Sequence, residues 1–180
     1  MRAVDTAIEG LKIIELESFP DHRGSFVRYW NDGVWQSAGI GPFVADNVSV
    51  SHAGVLRGLH LQAVDPQGKL VSVLSGSIFD VAVDVRAGSS TFGQWVGVHL
   101  RAGEPRQFWV PPGFAHGFCV TDGPATVHYR CTSHYLPDAQ VGISWNDPAL
   151  GIDWPIDKPI LSERDASLPP LNASMAIRNA

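Results

Sequence analysis

Ile78-Phe79-Asp80-Val81-Ala82-Val83-Asp84-Val85-Arg86 alternates with a period of two, and its reading decides the fold class. Phe79, Val81, Val83 and Val85 fall on one side, while Asp80, Asp84 and Arg86 fall on the other. Successive side chains of a strand point to opposite faces of its sheet, so the pattern predicts a half-buried strand. Lys69-Leu70-Val71-Ser72-Val73-Leu74 precedes it, and Ser75-Gly76-Ser77 between the two runs predicts a hairpin connection. Working outward, further strands are expected over 13–16, 24–30, 48–51, 56–61, 94–100, 107–110, 117–120 and 125–131. Helical periodicity is scarce: 30–38 fits one short helix and 147–150 a single turn. With 18 Gly and 13 Pro spread along the chain, strands this short indicate an antiparallel sandwich or barrel.

A length of 180 residues suits one domain, 1–180, with a full hydrophobic core. Hydrophobic residues at 44% with charged residues at 17% describe a globular chain, and no run is long enough to cross a bilayer. A net charge of −5 argues against general nucleic-acid binding. Cys119 and Cys131 lack metal-type spacing and are expected as reduced thiols. The N-terminal stretch carries Asp5 and Glu9 and does not read as a signal peptide, so a cytoplasmic protein is expected.

Gly54-Val55-Leu56-Arg57-Gly58-Leu59-His60-Leu61-Gln62 sets an Arg and a His three residues apart among small and apolar neighbours. A lone His in such company is usually a hydrogen-bonded core residue. Arg57, however, brings a fixed cation that is costly to bury without an anionic partner. Gly58 permits a bulge, which brings side chains of opposite strand parity towards one site. An anion-binding Arg beside a titratable His points to a phosphorylated substrate. Further on, Pro111-Pro112-Gly113 makes a rigid turn that delivers His116 to the start of the next strand. Lys69 follows the turn Asp65-Pro66-Gln67-Gly68, and by itself reads as a solvated strand-end lysine. Tyr129 shares a face with Val127 and Cys131, and is an acid or base only if that face points into a barrel. Asp165 lies in the polar run Leu161-Ser162-Glu163-Arg164-Asp165, which by itself reads as solvated surface.

The blocks Asp21-His22-Arg23-Gly24-Ser25-Phe26, Gly54 to His60, Gly68 to Val71, Phe79 to Arg86 and Ser90 to Gly93 follow one another in an order typical of a known family. Pro112 to Phe118, Tyr135 to Pro137, Trp145 to Pro148, Ile152 to Pro155 and Pro159 to Asp165 continue the series. On these the chain resembles the dTDP-4-dehydrorhamnose 3,5-epimerases. The resemblance implies an all-β, cupin-type antiparallel jelly-roll barrel with few short helices. It also implies a homodimer in which an N-terminal strand crosses into the partner's sheet. It makes His60 the base, paired with Asp165, Tyr129 the opposing acid, and Lys69 a neighbour of the substrate's 4-oxygen. Arg23, Asn47, Arg57 and His116 are implied to line the nucleotide-sugar site, with Arg23 and Asn47 reaching the partner's. Phe26, Gln62, Tyr135 and Arg164 are assigned to the same substrate-binding side.

Those residue types suit proton transfer beside a ketone. A 4-keto group acidifies the hydrogens on C3 and C5, a neutral imidazole removes one, and a cation steadies the oxyanion. Inversion then requires a proton from the opposite face. The scheme uses no cofactor. Cupins commonly bind a metal through two close histidines, a carboxylate and a later histidine. Here Pro111, Gly113 and His116 match the later half, but Gln62 stands two residues after His60 and no Glu follows, so no metal site is expected. Arg28 and Gln140 stand where the family usually has a carboxylate, and Ala45 where it has Gln. All three lie on the substrate side, so the sugar and nucleoside are less fixed than the reaction. The expected function is inversion of C3, C5 or both in a nucleotide-linked 4-keto-6-deoxyhexose. The alternatives are a C3- or C5-only monoepimerase of a related deoxysugar pathway, a non-enzymatic nucleotide-sugar-binding cupin and, last, a metal-dependent cupin isomerase or dioxygenase, against which Gln62 argues.

Overall fold

The computed structural model describes residues 1–172 and 175–177. Among these the chain forms β1 (Arg2–Asp5), β2 (Lys12–Glu15), β3 (Glu17–Asp21), β4 (Gly24–Arg28), α1 (Asp32–Ser37), β5 (Ala45–Ser51) and β6 (Leu56–Gln62). β7 (Lys69–Asp84), β8 (Trp95–Arg101), β9 (Arg106–Val110), β10 (Phe114–Cys131), β11 (Gln140–Gly142) and α2 (Glu163–Ala166) complete the order. The main sheet runs β1-β2-β9-β7-β10-β6-β11, with β5 added on β10 and β8 on β7, while β3 and β4 form a separate ribbon. The architecture is the expected all-β, cupin-type one with few short helices, although the hydrogen-bonded strands do not close into a ring.

Two long strands organise everything else. The two runs flanking Ser75-Gly76-Ser77 are one strand of 16 residues, not the arms of a hairpin. Lys69 to Val71 pair with β9, Ser77 to Val83 pair with β8, and both stretches pair with β10. The separate strands expected over 117–120 and 125–131 are likewise one 18-residue strand, broken in register between Val120 and Val127. Gly76 sits where β7 leaves one half of the sheet for the other. It adopts φ +72°, and a Cβ there would lie 2.5 Å from Asp122 O and 2.9 Å from the Ala125 Cα. Only glycine fits so close a crossing.

The alternation of 78–86 describes the faces correctly and their surroundings incorrectly. Ile78 and Ala82 enter an inner core with Val71, Val73, Val98, Leu100, Phe108, Phe118 and Val127, drawn from both halves. On the opposite face, Phe79, Val81, Val83 and Val85 pack with Leu56, Leu59 and Cys119 under Ile143, Leu150, Trp154 and Ile177. The C-terminal part of the chain therefore roofs the outer face, and the strand is buried on both sides. Asp80 and Asp84, expected in solvent, have no exposed surface. A third core joins Ile14, Leu70 and Trp109 to Trp35 and Ile40.

The roof is fastened beside β6. Ile160 N donates to Gly54 O at 2.8 Å, and Leu56 N donates to Ile160 O at 3.0 Å. Phe19 and Phe26 of the β3–β4 ribbon are 48% and 64% exposed. Val48 and Val50 of β5 are 60% and 64% exposed. Among the described residues β5 pairs only with β10, so its other edge is open.

Candidate active site

The expected bulge at Gly58 is present. His116 stands opposite His60 and Phe118 opposite Arg57, so β6 carries one more residue than β10 over this stretch. Gly58 takes φ +122°, and an added Cβ would meet the Gly117 Cα at 2.6 Å and His116 O at 2.8 Å. The extra residue turns both Arg57 and His60 towards one cavity, despite their spacing of three.

That cavity has a volume of about 620 Å³. His60 Nε2 lies 2.6 Å from Oδ1 of Asp165. Asp165 is held on α2 by the Ser162 hydroxyl, which accepts its backbone N–H, and is only 5% exposed. The run read as solvated surface thus turns a carboxylate inward. Burial pushes that carboxyl up, but the hydrogen bond and charge of His60, with donors from Ser162 and Gly58, outweigh burial and hold it below its usual range. A carboxylate only accepts, so Nε2 of the neutral ring carries the proton and Nδ1 keeps the lone pair. His60 is therefore presented as a base.

Across the cavity, Tyr129 stands opposite Val71 on one side and Asn47 on the other, and Cys131 stands opposite Lys69. Burial pushes the Tyr129 phenol up, Cys131 adds to this, and Arg57 opposes it. The phenol stays protonated and can give a proton. Lys69 also lines the cavity, which corrects its reading as a solvated strand-end residue. Burial pushes its ammonium down, against the influence of Cys131 and Asp80. His116 faces the cavity from β10, with its Nε2 2.7 Å from Oδ1 of Asp80.

The mouth is built from polar side chains that hold one another. Arg57 Nε donates to the Ser51 hydroxyl at 2.9 Å, and its guanidinium is exposed rather than buried. The Tyr135 hydroxyl and Arg164 Nη1 both donate to Gln140 Oε1 at 2.8 Å. Gln62 also lines the cavity, yet its carboxamide donates to Asp65 O and His134 O and accepts from Leu136 N. Those bonds make it a brace for the neighbouring loops more than a ligand of substrate.

Ten of the expected residues thus meet in one place: His60, Tyr129, Asp165, Lys69, Asn47, Arg57, Gln62, His116, Tyr135 and Arg164. Asn47, which the resemblance assigns to the partner's site, lines its own chain's cavity and donates to Cys131 Sγ at 3.6 Å. Arg23 and Phe26 are not there. They lie on the β3–β4 ribbon, where Arg23 is paired with Asp21 at 2.6 Å. Sequence reasoning missed Asp80, placed on a solvent face, and Ser49, Gln67 and Ile160 in the cavity wall. No local signal could have exposed the first, because a carboxylate between Phe79 and Val81 is what an ordinary half-solvated strand shows. Among the described residues no three His, Cys, Asp or Glu side chains gather as a metal would need.

A family model described as dTDP-4-dehydrorhamnose 3,5-epimerase matches residues 5–173. The chain is 48% identical over 174 residues to the dTDP-4-dehydrorhamnose 3,5-epimerase of Methanothermobacter thermautotrophicus, spanning 94% of each chain. The dTDP-6-deoxy-D-glucose-3,5-epimerase of Legionella pneumophila, solved with dTDP-4-keto-L-rhamnose, superposes with a TM-score of 0.94 at 46% identity. That alignment covers 99% of this chain and 98% of the other. A 3'-monoepimerase of Streptomyces bikiniensis, solved with dTDP-quinovose, superposes with a TM-score of 0.85 at 37% identity, covering 92% and 85%. Likeness this close, over nearly the whole length of the chain that builds the cavity, goes beyond a shared fold, and the protein belongs to the dTDP-4-dehydrorhamnose 3,5-epimerase family of nucleotide-sugar isomerases.

Proposed function

We propose that the protein inverts C3 and C5 of dTDP-4-dehydro-6-deoxyglucose, giving dTDP-4-dehydrorhamnose. The observation that carries this reading is the His60–Asp165 pair facing the same cavity as Tyr129 and Lys69. His60 Nδ1 removes the proton from carbon, and the electron pair moves into the C4 carbonyl to form an enolate. Asp165 stabilises the imidazolium that results. Lys69 steadies the oxygen, and Tyr129 returns a proton to the opposite face of the carbon. Once the imidazolium has lost its proton to solvent and the Tyr129 phenolate has regained one, the second carbon repeats the cycle, and no redox cofactor takes part.

The likeness to a monoepimerase supports a narrower second reading, in which only one carbon is inverted. Incubation with dTDP-4-keto-6-deoxyglucose in deuterated water separates the two. Label at C3 and C5 is the expected result. Label at one carbon favours the monoepimerase, and none sinks both readings in favour of a binding protein.

The assembly we propose is a homodimer of single-domain chains working in the cytoplasm. The exposed Phe19 and Phe26 on an otherwise unpartnered ribbon, and the open apolar edge strand β5, fit strand exchange with a second copy. Two free buried cysteines fit a reducing compartment, and no described helix is long and apolar enough to cross a membrane. An Arg23→Ala chain and a His60→Ala chain, each inactive alone, should recover part of the activity when mixed. Absence of recovery despite demonstrated subunit exchange removes the shared site.

A further inference from the structure

The chain has only three lysines, and they sit in unlike surroundings. Lys12 is paired with Asp5, and Lys158 is exposed. Lys69 is half-buried and lines the cavity, and among the described residues its Nζ has neither a hydrogen-bond partner nor an ion pair. Cys131 stands opposite it across β7 and β10, but burial pushes that thiol up, so a neutral group faces the amine. Asp80, whose charge reaches Lys69, bonds His116 instead. Burial without a bonded counterion disfavours an ammonium, and it pushes Lys69 down. A lysine so placed presents free amine, the nucleophile of imine chemistry. Two further groups face the same cavity. Tyr129 lies on the Cys131 face of β10, and its protonated phenol can supply a proton. Arg57 donates through Nε to Ser51, and its Nη groups have no acceptor among the described residues.

We infer that Lys69 is a modification site that captures small phosphorylated aldehydes as imines, with Arg57 receiving the phosphate. Nζ adds its lone pair to the carbonyl carbon, and a proton moves from nitrogen to the former carbonyl oxygen, giving a carbinolamine. Tyr129 protonates the new hydroxyl, which leaves as water while the nitrogen lone pair closes the C=N bond. The nitrogen then returns its remaining proton to the phenolate, so Tyr129 is restored and water is the sole by-product. An aldehyde is less crowded and more electrophilic than the C4 ketone, so capture concerns a ligand class other than the nucleotide sugar. The adduct blocks the cavity and removes the donor that Lys69 offers the C4 oxygen. This goes beyond the epimerase reading and does not need it, because the adduct is read on the protein and not on turnover.

The test treats the whole protein at about pH 7.5 with pyridoxal 5'-phosphate, a phosphorylated aldehyde, and then with borohydride, which fixes an imine as a secondary amine. Peptide mass spectrometry compares labelling at Lys69, Lys12, Lys158 and the Met1 amine. Lys69 should be labelled at least about tenfold faster than Lys158, although Lys158 is the more exposed. Pyridoxal, which lacks the phosphate, should label Lys69 about tenfold more slowly, and Arg57→Ala should abolish that preference. Label confined to Lys12, Lys158 and Met1, or Lys69 labelled no faster than Lys158, overturns the proposal. Equal labelling of Lys69 by the two aldehydes, or a preference that survives Arg57→Ala, overturns the phosphorylated class and the role of Arg57. If Arg57→Ala does not fold, the two aldehydes compared on wild type decide. A protein that labels as expected but exchanges no deuterium into substrate refutes the epimerase reading alone.

Discussion

Asp80 and Asp84 lie four residues apart on one face of β7, equally without exposed surface, yet their surroundings are opposite. Asp84 accepts from the backbone N–H, Nε and Nη2 of Arg86 and from the hydroxyls of Ser89 and Thr91. Burial pushes its carboxyl up, but these donors prevail and bring it down to about 2. Asp80 has His116 on one oxygen and, among the described residues, no partner on the other. The difference teaches how one strand divides its labour. A saturated carboxylate closes a turn, while the other keeps one oxygen buried without a partner among the described residues, behind a histidine that lines the cavity.

If that division holds, substitutions at the cavity should reduce turnover and those around Asp84 should reduce stability. The largest effect is expected from His60→Asn. Deuterium wash-in and epimerisation should fall by at least about 10³-fold, since no neighbour replaces the imidazole. Its urea unfolding should stay within about 1 kcal/mol of wild type. A destabilised protein with proportionate loss of activity would place His60 in the core and break the contrast. Next comes Tyr129→Phe, where inverted product should fall by about 10²–10⁴-fold while exchange at carbon continues, because His60 can return the proton to the face it came from. Equal loss of exchange and inversion would move Tyr129 to the first proton abstraction.

Asp84→Asn should act the other way, costing about 2 kcal/mol and lowering Tm by about 4–8 °C with kcat/KM unchanged. The sign follows from a lowered carboxyl. Its contribution is complete above the ordinary carboxylate value of about 3.9 and is lost as pH falls towards 2. Acid unfolding of wild type and variant, followed by circular dichroism, should converge over that interval. A variant equally deficient at all acidic pH values would show that packing, not charge, sets the contribution of Asp84. The smallest effect is expected at the mouth. Gln140→Glu keeps an acceptor for Tyr135 and Arg164 but offsets the Arg164 charge, so KM for an anionic substrate should rise about threefold with kcat unaltered.

Much of this was readable from residues alone, for reasons that are local. The period of two in 78–86 fixed strand and faces, Gly58 signalled the bulge, and Pro111-Pro112-Gly113 placed His116 near the start of β10. What escaped was information about neighbours. Nothing near Asp80 in sequence reveals that the face opposite Val81 is also covered, because the inner core that covers it comes from strands on both sides. Ser75-Gly76-Ser77 has the composition of a turn, yet its glycine serves a close crossing of β10. Asp165 reads as surface until the segment around it is laid against β6. The family likeness supplied that residue before geometry did.

The partner of His60 is 105 residues downstream, on a segment that joins β6 through Ile160 and reaches His60 only at α2. Every strand of the main sheet therefore precedes Asp165 in the order of synthesis. A nascent chain can complete its sheet with an imidazole already in place but neither oriented nor electrostatically supported. Docking of the final segment is what sets Asp165 against His60. Proteolytic loss of that segment would leave the strands but take Ile160, Leu161, Ser162 and Arg164 from the cavity wall together with Asp165, so the last stretch to dock is also the one that completes the cavity.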